Sequence, residues 1–165
     1  MGKSSVFAAW ERAYFAAEDA RNLSDAVSRF GFILIMLPLR HYAALPVPNP
    51  NRPETWVLEA VRRQLEQYGV ATSDIGLIDS MLRAGHIALA LDGTNEADRD
   101  MALSAFARQY PQTRLPVTSQ ALPRNFANDE RWEVWELPEN IGKLRDGLLV
   151  LWLGDKKARH CLVAF

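Results

Sequence analysis

Two unbroken apolar runs constrain the fold of this chain more than any other feature of its sequence. Residues 32–39 and residues 86–91 show no alternation between apolar and polar side chains. Strands of this kind are covered on both faces, and sheets covered on both faces are mostly parallel. The two runs therefore predict a mostly parallel sheet in an α/β protein.

The rest of the chain alternates predicted helices with predicted strands. Periodicity indicates helices at residues 4–20, 53–69, 74–85, 101–110 and 140–165, and strands at 114–119 and 131–137. Four prolines between residues 46 and 53 predict a stiff loop after the first strand. Elements that alternate at this spacing are typical of an α/β sandwich.

One of these helices has well-defined predicted ends and a predicted buried face. Ser73 or Asp74 is expected as its N-cap, and Gly85 is expected to end it. The buried face is expected to carry four apolar side chains, those of Ile75, Ile78, Met81 and Leu82.

Charge and cysteine content exclude several classes of function. With 19 basic and 20 acidic residues, the chain has no large positive field to attract nucleic acid or an anionic membrane surface. One cysteine, Cys161, allows neither an internal disulfide nor a four-cysteine zinc site, which fits a reducing cytoplasm. The longest apolar run is too short to cross a bilayer. We therefore expect a soluble cytoplasmic protein.

The clearest candidate for chemistry follows the second apolar run, where Asp92 and Gly93 are succeeded by Glu96. A carboxylate at the carboxyl end of a strand lies where open α/β sheets bind ligands. In P-loop enzymes such an aspartate holds Mg²⁺ on the terminal phosphates, and a second acid orients the attacking water. The alternative is structural, because an Asp-Gly pair also makes a good turn.

Two weaker signals accompany this acidic segment. Thr118, Ser119 and Gln120 end a predicted strand where a γ-phosphate sensor would lie, although such a strand end is also an ordinary turn. Residues 2–5 read Gly-Lys-Ser-Ser before the first predicted helix, and they match the last part of the pattern G-x-x-x-x-G-K-[ST]. A short match of this kind also arises by chance.

Taken together, these segments resemble the NACHT-type NTPases, a branch of the STAND class of P-loop signalling ATPases. Residues 33–42 are similar to the second-strand motif of that family, 89–96 to its Walker B segment, 114–120 to its sensor strand and 132–153 to the strand and helix that lead into its lid. The resemblance implies a three-layer sandwich of the P-loop NTPase type. Residues 1–137 would form a partial core and 138–165 the start of a helical lid.

The resemblance also implies roles for individual residues, with ATP and Mg²⁺ as cofactors. Nucleotide contacts would come from Gly2, Lys3, Ser4, Ser5 and Gln120, metal contacts from Ser4 and Asp92, and the orientation of the catalytic water from Glu96. The sequence departs from the family pattern at two positions. Asn95 replaces a frequent second acid, and Gln120 replaces a frequent arginine.

The family's phosphate-loop strand lies between its sensor strand and its last strand, and this sequence begins after that strand. We therefore expect a chain truncated at both ends, with a four-stranded sheet and an incomplete phosphate loop. Residues 131–137 would pair directly with 114–119, or the gap would become an outer edge, which would suit Pro116. Losing about four phosphate contacts at roughly 1.5 to 3 kcal/mol each predicts nucleotide affinity weaker than about 1 mM.

Two functions follow from the sequence. The first is a fragment of an ATP-binding and ATP-hydrolysing signalling module, inactive by itself and active where a full-length parent supplies the whole phosphate loop. Its partners would be the nucleotide and either another copy of the chain or the missing N-terminal segment. The alternative is a non-catalytic protein-interaction module with a decayed or truncated nucleotide site.

Overall fold

The fold is a parallel sheet flanked by helices, as seen in a computed structural model that describes residues 14, 27–28, 30–70, 74–93, 99–119, 126, 130–136 and 160–164. The strands are β1 (Ile33–Pro38), β2 (Ile87–Asp92), β3 (Leu115–Ser119), β4 (Trp132–Glu136) and β5 (His160–Ala164). The helices are α1 (Thr55–Gln67), α2 (Ile75–Arg83) and α3 (Asp100–Gln109), and a short 3-10 turn spans Leu39–His41. The α/β class predicted from the apolar runs is confirmed.

Among the described residues the sheet has five strands in the order β1-β2-β3-β5-β4, and every neighbouring pair is parallel. β1 and β2 pair from Ile33↔Ile87 to Pro38↔Asp92. β5 pairs along its whole length with β3 on one side and with β4 on the other. The carboxyl ends of all five strands therefore meet at one edge of the sheet, which we call the carboxyl edge.

One face of the sheet is covered by α1, α2 and α3. Strand positions two apart point to the same face, so Ile35 and Leu37 of β1 share this face with Leu89 and Leu91 of β2. The helices contribute buried side chains at helical spacing, among them Trp56, Val57, Ala60, Val61, Ile78, Leu82, Leu103 and Phe106. Burial of this apolar surface is the main source of stability, at about 25 cal/mol per Å².

The opposite face is contacted by an aromatic group near the start of the chain. Tyr14 is fully buried, stacks on Phe30 and Phe32, and donates its hydroxyl to the Phe32 carbonyl. The Arg114 guanidinium lies 5.1 Å from the Phe32 ring centroid. These contacts place Phe32, which precedes β1, against Arg114, which precedes β3.

The ends of α1 and α2 follow from local chemistry. Asp74 is the N-cap of α2 and accepts a hydrogen bond from the Leu77 amide at 3.1 Å, as expected from the sequence. Gly69 and Gly85 follow α1 and α2 with φ of +77° and +72°, a conformation that other residues adopt at a cost. The expected burial of Ile75 is wrong, because its side chain is 47% exposed.

Four expectations about the sheet are wrong. The described part of the chain forms five strands rather than four, and residues 160–164 form β5 instead of continuing a helical tail. β4 neither pairs directly with β3 nor leaves a gap at an outer edge, since β5 lies between them. Pro116 is therefore in a strand with neighbours on both sides, and not in an edge strand.

Residues 138–159 of the expected lid lie outside the described residues. No helix among the described residues is long and apolar enough to span a membrane.

A surface ion-pair cluster on α1 predicts acid sensitivity. Hydrogen bonds from Arg62 and Arg63 lower the pKa of Glu59 to about 2. Because this pKa lies below that of an unfolded glutamate, about 4.3, the stabilisation is complete above pH 5 and is lost as the pH falls towards 2. We expect a loss of about 1 kcal/mol or less, because the cluster lies at the surface and is partly exposed to solvent. Urea denaturation at pH 6 and pH 2.5 should show a smaller acid loss in Glu59→Gln than in the wild type, and equal losses would contradict this assignment.

Candidate functional site

The candidate site lies at the carboxyl edge, where β2 and β3 end side by side. Asp92 is the last residue of β2 and is half-buried. Thr118 is the penultimate residue of β3 and is fully buried, and it donates its hydroxyl to Asp92 Oδ1 at 2.7 Å. A carboxylate and a hydroxyl from neighbouring strands therefore converge on one point of this edge.

Gly93 completes this convergence. Its φ of +80° turns the chain directly after β2, in a conformation that favours glycine. Its amide then points back to Thr118 and donates to the Oγ1 atom at 3.3 Å. The Thr118 hydroxyl is thus held from both sides, since it accepts from Gly93 and donates to Asp92.

Arg99 joins the start of α3 to the loop that follows β1. Its Nη2 atom donates to the carbonyls of Ala43 and Leu45 at 3.2 and 3.0 Å, and its guanidinium lies 5.6 Å from the Trp56 ring centroid. Arg99 precedes α3, whereas Ala43 and Leu45 follow β1, so one side chain connects the start of α3 with the loop after β1. No sequence pattern indicates this role, because it depends on contacts more than fifty residues apart.

The structure places one of the predicted site residues. Asp92 lies at the carboxyl edge, as its position after an apolar strand predicted. Six others lie outside the described residues, namely Gly2, Lys3, Ser4, Ser5, Glu96 and Gln120. Thr118, which the sequence marked as a polar strand end, is the residue that the structure brings to Asp92.

The donor set at this edge suits a hard cation. Mg²⁺ prefers carboxylate oxygens and retains several waters, so the Asp92 carboxylate provides a partial site. No group of three or more His, Cys, Asp or Glu side chains with metal-binding geometry occurs among the described residues. Asp92 alone would therefore not complete a cation site. The remaining ligands would come from a bound phosphate group or from other parts of the chain.

Comparison with known proteins adds no relative. No protein-family model matches the chain, and no curated protein or solved structure is significantly similar to it.

Proposed function

We propose that the chain is the partial core of a NACHT-like signalling NTPase, and that it holds Mg-ATP at the carboxyl edge through Asp92. The observation that carries this proposal is the half-buried Asp92 carboxylate at the end of β2, beside the buried Thr118 hydroxyl at the end of β3. Ligands of open α/β sheets bind outside the carboxyl ends of the strands, which is where these two side chains meet.

The chemistry of each side chain would determine its role at this site. Asp92 would orient a Mg²⁺ ion, which supplies neutralising charge to the terminal phosphates when it is bound. Lys3 and Ser4, with Gly2, Ser5 and Gln120, would contact the nucleotide, and Glu96 would position the attacking water.

The second candidate, a non-catalytic interaction module, is supported by a different observation. The Oδ1 atom of Asp92 already accepts the Thr118 hydroxyl, and Gly93 holds that hydroxyl in place. Such a closed arrangement stabilises the end of the sheet without any ligand. In this case the carboxyl edge would be structural, and the function would come from contacts with another protein.

Paramagnetic broadening separates the two candidates even where affinity is low. Mn²⁺ replaces Mg²⁺ at oxygen sites and broadens nearby amide signals in NMR spectra. With Mn-ATP, we expect broadening centred on the Gly93 and Thr118 amides, with an apparent Kd weaker than about 1 mM. Asp92→Asn should abolish this broadening while preserving the fold, because its amide oxygen still accepts the Thr118 hydroxyl.

Glu66→Gln is the matched control, since it removes one negative charge from the surface of α1. Glu66 pairs with Arg62 on α1, and this ion pair includes none of the three residues Asp92, Gly93 and Thr118 that meet at the carboxyl edge. The NMR spectrum of the Glu66→Gln variant should broaden as in the wild type. Broadening that survives Asp92→Asn would exclude Asp92 as the metal residue, and micromolar Mg-ATP affinity by calorimetry would contradict the expected weak binding.

A further inference from the structure

The ladder between β2 and β3 keeps one register but is interrupted in its middle, whereas the other three ladders of the described sheet are continuous. β1 and β2 pair over six positions, and β5 pairs over five positions with each of β3 and β4. Between β2 and β3, the paired positions are Leu91↔Val117 and the isolated bridge Ala88↔Arg114. We call this junction the β2–β3 seam.

Pro116 explains why the ladder is interrupted at the seam. The Leu89 amide donates to the Arg114 carbonyl at 2.9 Å, so the backbone of Arg114 faces β2. Backbone groups of a strand face alternate sides, and the N–H and C=O of one residue face the same side. Position 116 therefore also faces β2, where an N–H would point at the Leu89 carbonyl. Proline has no N–H to donate.

The missing donor leaves the other side of β3 intact. Position 116 faces β2, so β3 faces β5 through its neighbours Leu115 and Val117. That ladder runs without a break from Leu115↔His160 to Ser119↔Ala164. The weak junction is therefore confined to the β2–β3 seam, and it separates the β1–β2 block from the β3–β5–β4 block.

Side chains close the seam at its carboxyl end. Thr118 Oγ1 donates to Asp92 Oδ1 at 2.7 Å and accepts from the Gly93 amide at 3.3 Å. Thr118 belongs to one block, whereas Asp92 and Gly93 belong to the other. Hydrogen bonds to a charged acceptor are stronger than neutral ones, and Thr118 is fully buried. We call these three residues the latch.

We propose that the seam is the line along which this sheet opens, that the latch holds it closed, and that a cation at Asp92 releases it by competing with the Thr118 hydroxyl for the carboxylate. The cation step rests on the proposed function, whereas the latch itself does not. By linkage, a cation that must break the latch to bind will bind more tightly when the latch is absent. Ligand occupancy at the edge would in this way alter the junction between the two blocks.

Amide hydrogen exchange measures the opening directly. The Leu89 amide reports on the seam, because it donates across it. The Ile35 amide serves as an internal reference within the β1–β2 block, since it faces β2 two positions after Ile33, whose amide donates to the His86 carbonyl at 2.8 Å. Loss of one hydrogen bond to a charged group corresponds to about a tenfold change in an opening equilibrium.

Thr118→Val keeps the shape of the side chain and removes its hydroxyl, so Leu89 exchange should accelerate about tenfold while Ile35 exchange stays unchanged. Thr118→Ser keeps the hydroxyl and should stay close to the wild type. Pro116→Val restores the missing N–H and should slow Leu89 exchange about tenfold, alone and in combination with Thr118→Val. Equal acceleration at Leu89 and Ile35 in Thr118→Val, or no effect of Pro116→Val on Leu89, would overturn the seam.

The cation step has its own measurement, with Mg-ATP as the probe in exchange experiments and Mn-ATP in NMR spectra. Mg-ATP should accelerate Leu89 exchange in the wild type and leave Asp92→Asn unchanged. Mn-ATP broadening at Gly93 without any Mg-ATP effect on Leu89 would overturn the coupling and leave the proposed function standing. If Mn-ATP causes no broadening at Gly93, the proposed function and the coupling both fail, whereas the Thr118 and Pro116 variants still decide the latch.

Discussion

The substitutions Leu162→Pro and Val163→Pro should each destabilise the protein by about 2 to 4 kcal/mol, because β5 has a strand on both sides. Successive residues of a strand direct their N–H groups to opposite sides. In β5 both directions lead to a neighbouring strand, so both substitutions remove a ladder donor and introduce a ring between paired strands. The loss is a large fraction of the stability of a typical domain, about 5 to 15 kcal/mol.

β4 provides the matched control for this experiment, since it pairs with β5 and forms the end of the described sheet. Proline at Glu133 and at Val134 should therefore have unequal effects, because one of the two N–H groups faces β5 and the other faces away. Each proline variant is compared by urea denaturation with the alanine variant at the same position, which removes the side-chain contribution. An alternating effect in β5, or equal effects in β4, would contradict the strand order.

Alanine at Gly85 should cost about 2 to 4 kcal/mol of folding free energy, the second large effect that the structure predicts. Gly85 has φ of +72°, and a Cβ atom there would lie 2.7 Å from the Gln112 carbonyl oxygen. That oxygen belongs to the turn between α3 and β3. The turn is held against α2 by the Thr113 hydroxyl, which donates to the Leu82 carbonyl at 2.7 Å, so it has little freedom to move.

Gly69→Ala separates the two causes of this effect. Gly69 has nearly the same φ, +77°, but nothing lies within 4 Å of the position of its Cβ atom. Its replacement should cost about 1 kcal/mol, which is the backbone strain alone. Urea denaturation of both variants gives the difference, and equal costs would show that α2 and the turn after α3 are not in close contact.

Much of the sheet was predictable from sequence, because long apolar runs identify strands that are buried on both faces. The runs before Leu39 and Asp92 predicted β1 and β2, and the cap at Asp74 was predicted from its residue type. β5 was missed, since a run as short as residues 161–164 also fits a buried helix. Its position depends on pairing with β3, more than forty residues away. Periodicity also overestimated the burial of Ile75, because it identifies the face of a helix but not how far the core extends along it.

The candidate site was predictable in part. An apolar strand that ends in an acid placed Asp92 at the carboxyl edge, since parallel strands all end there. Its contact with Thr118 was not predictable, because it depends on the β2–β3 register, and Pro116 limits the pairing that sets this register. Arg99 was missed for the same reason, since its acceptors Ala43 and Leu45 lie in a distant loop.

The position of β5 also has a consequence for biosynthesis. Val117 and Leu162, which pair in the finished sheet, are 45 positions apart in the chain. At translation rates of about 5 to 20 residues per second, roughly 2 to 9 seconds pass between their appearance. During this interval the edge of β3 that pairs with β5 in the finished sheet has no partner, and an unpaired strand edge is a template for pairing with other chains.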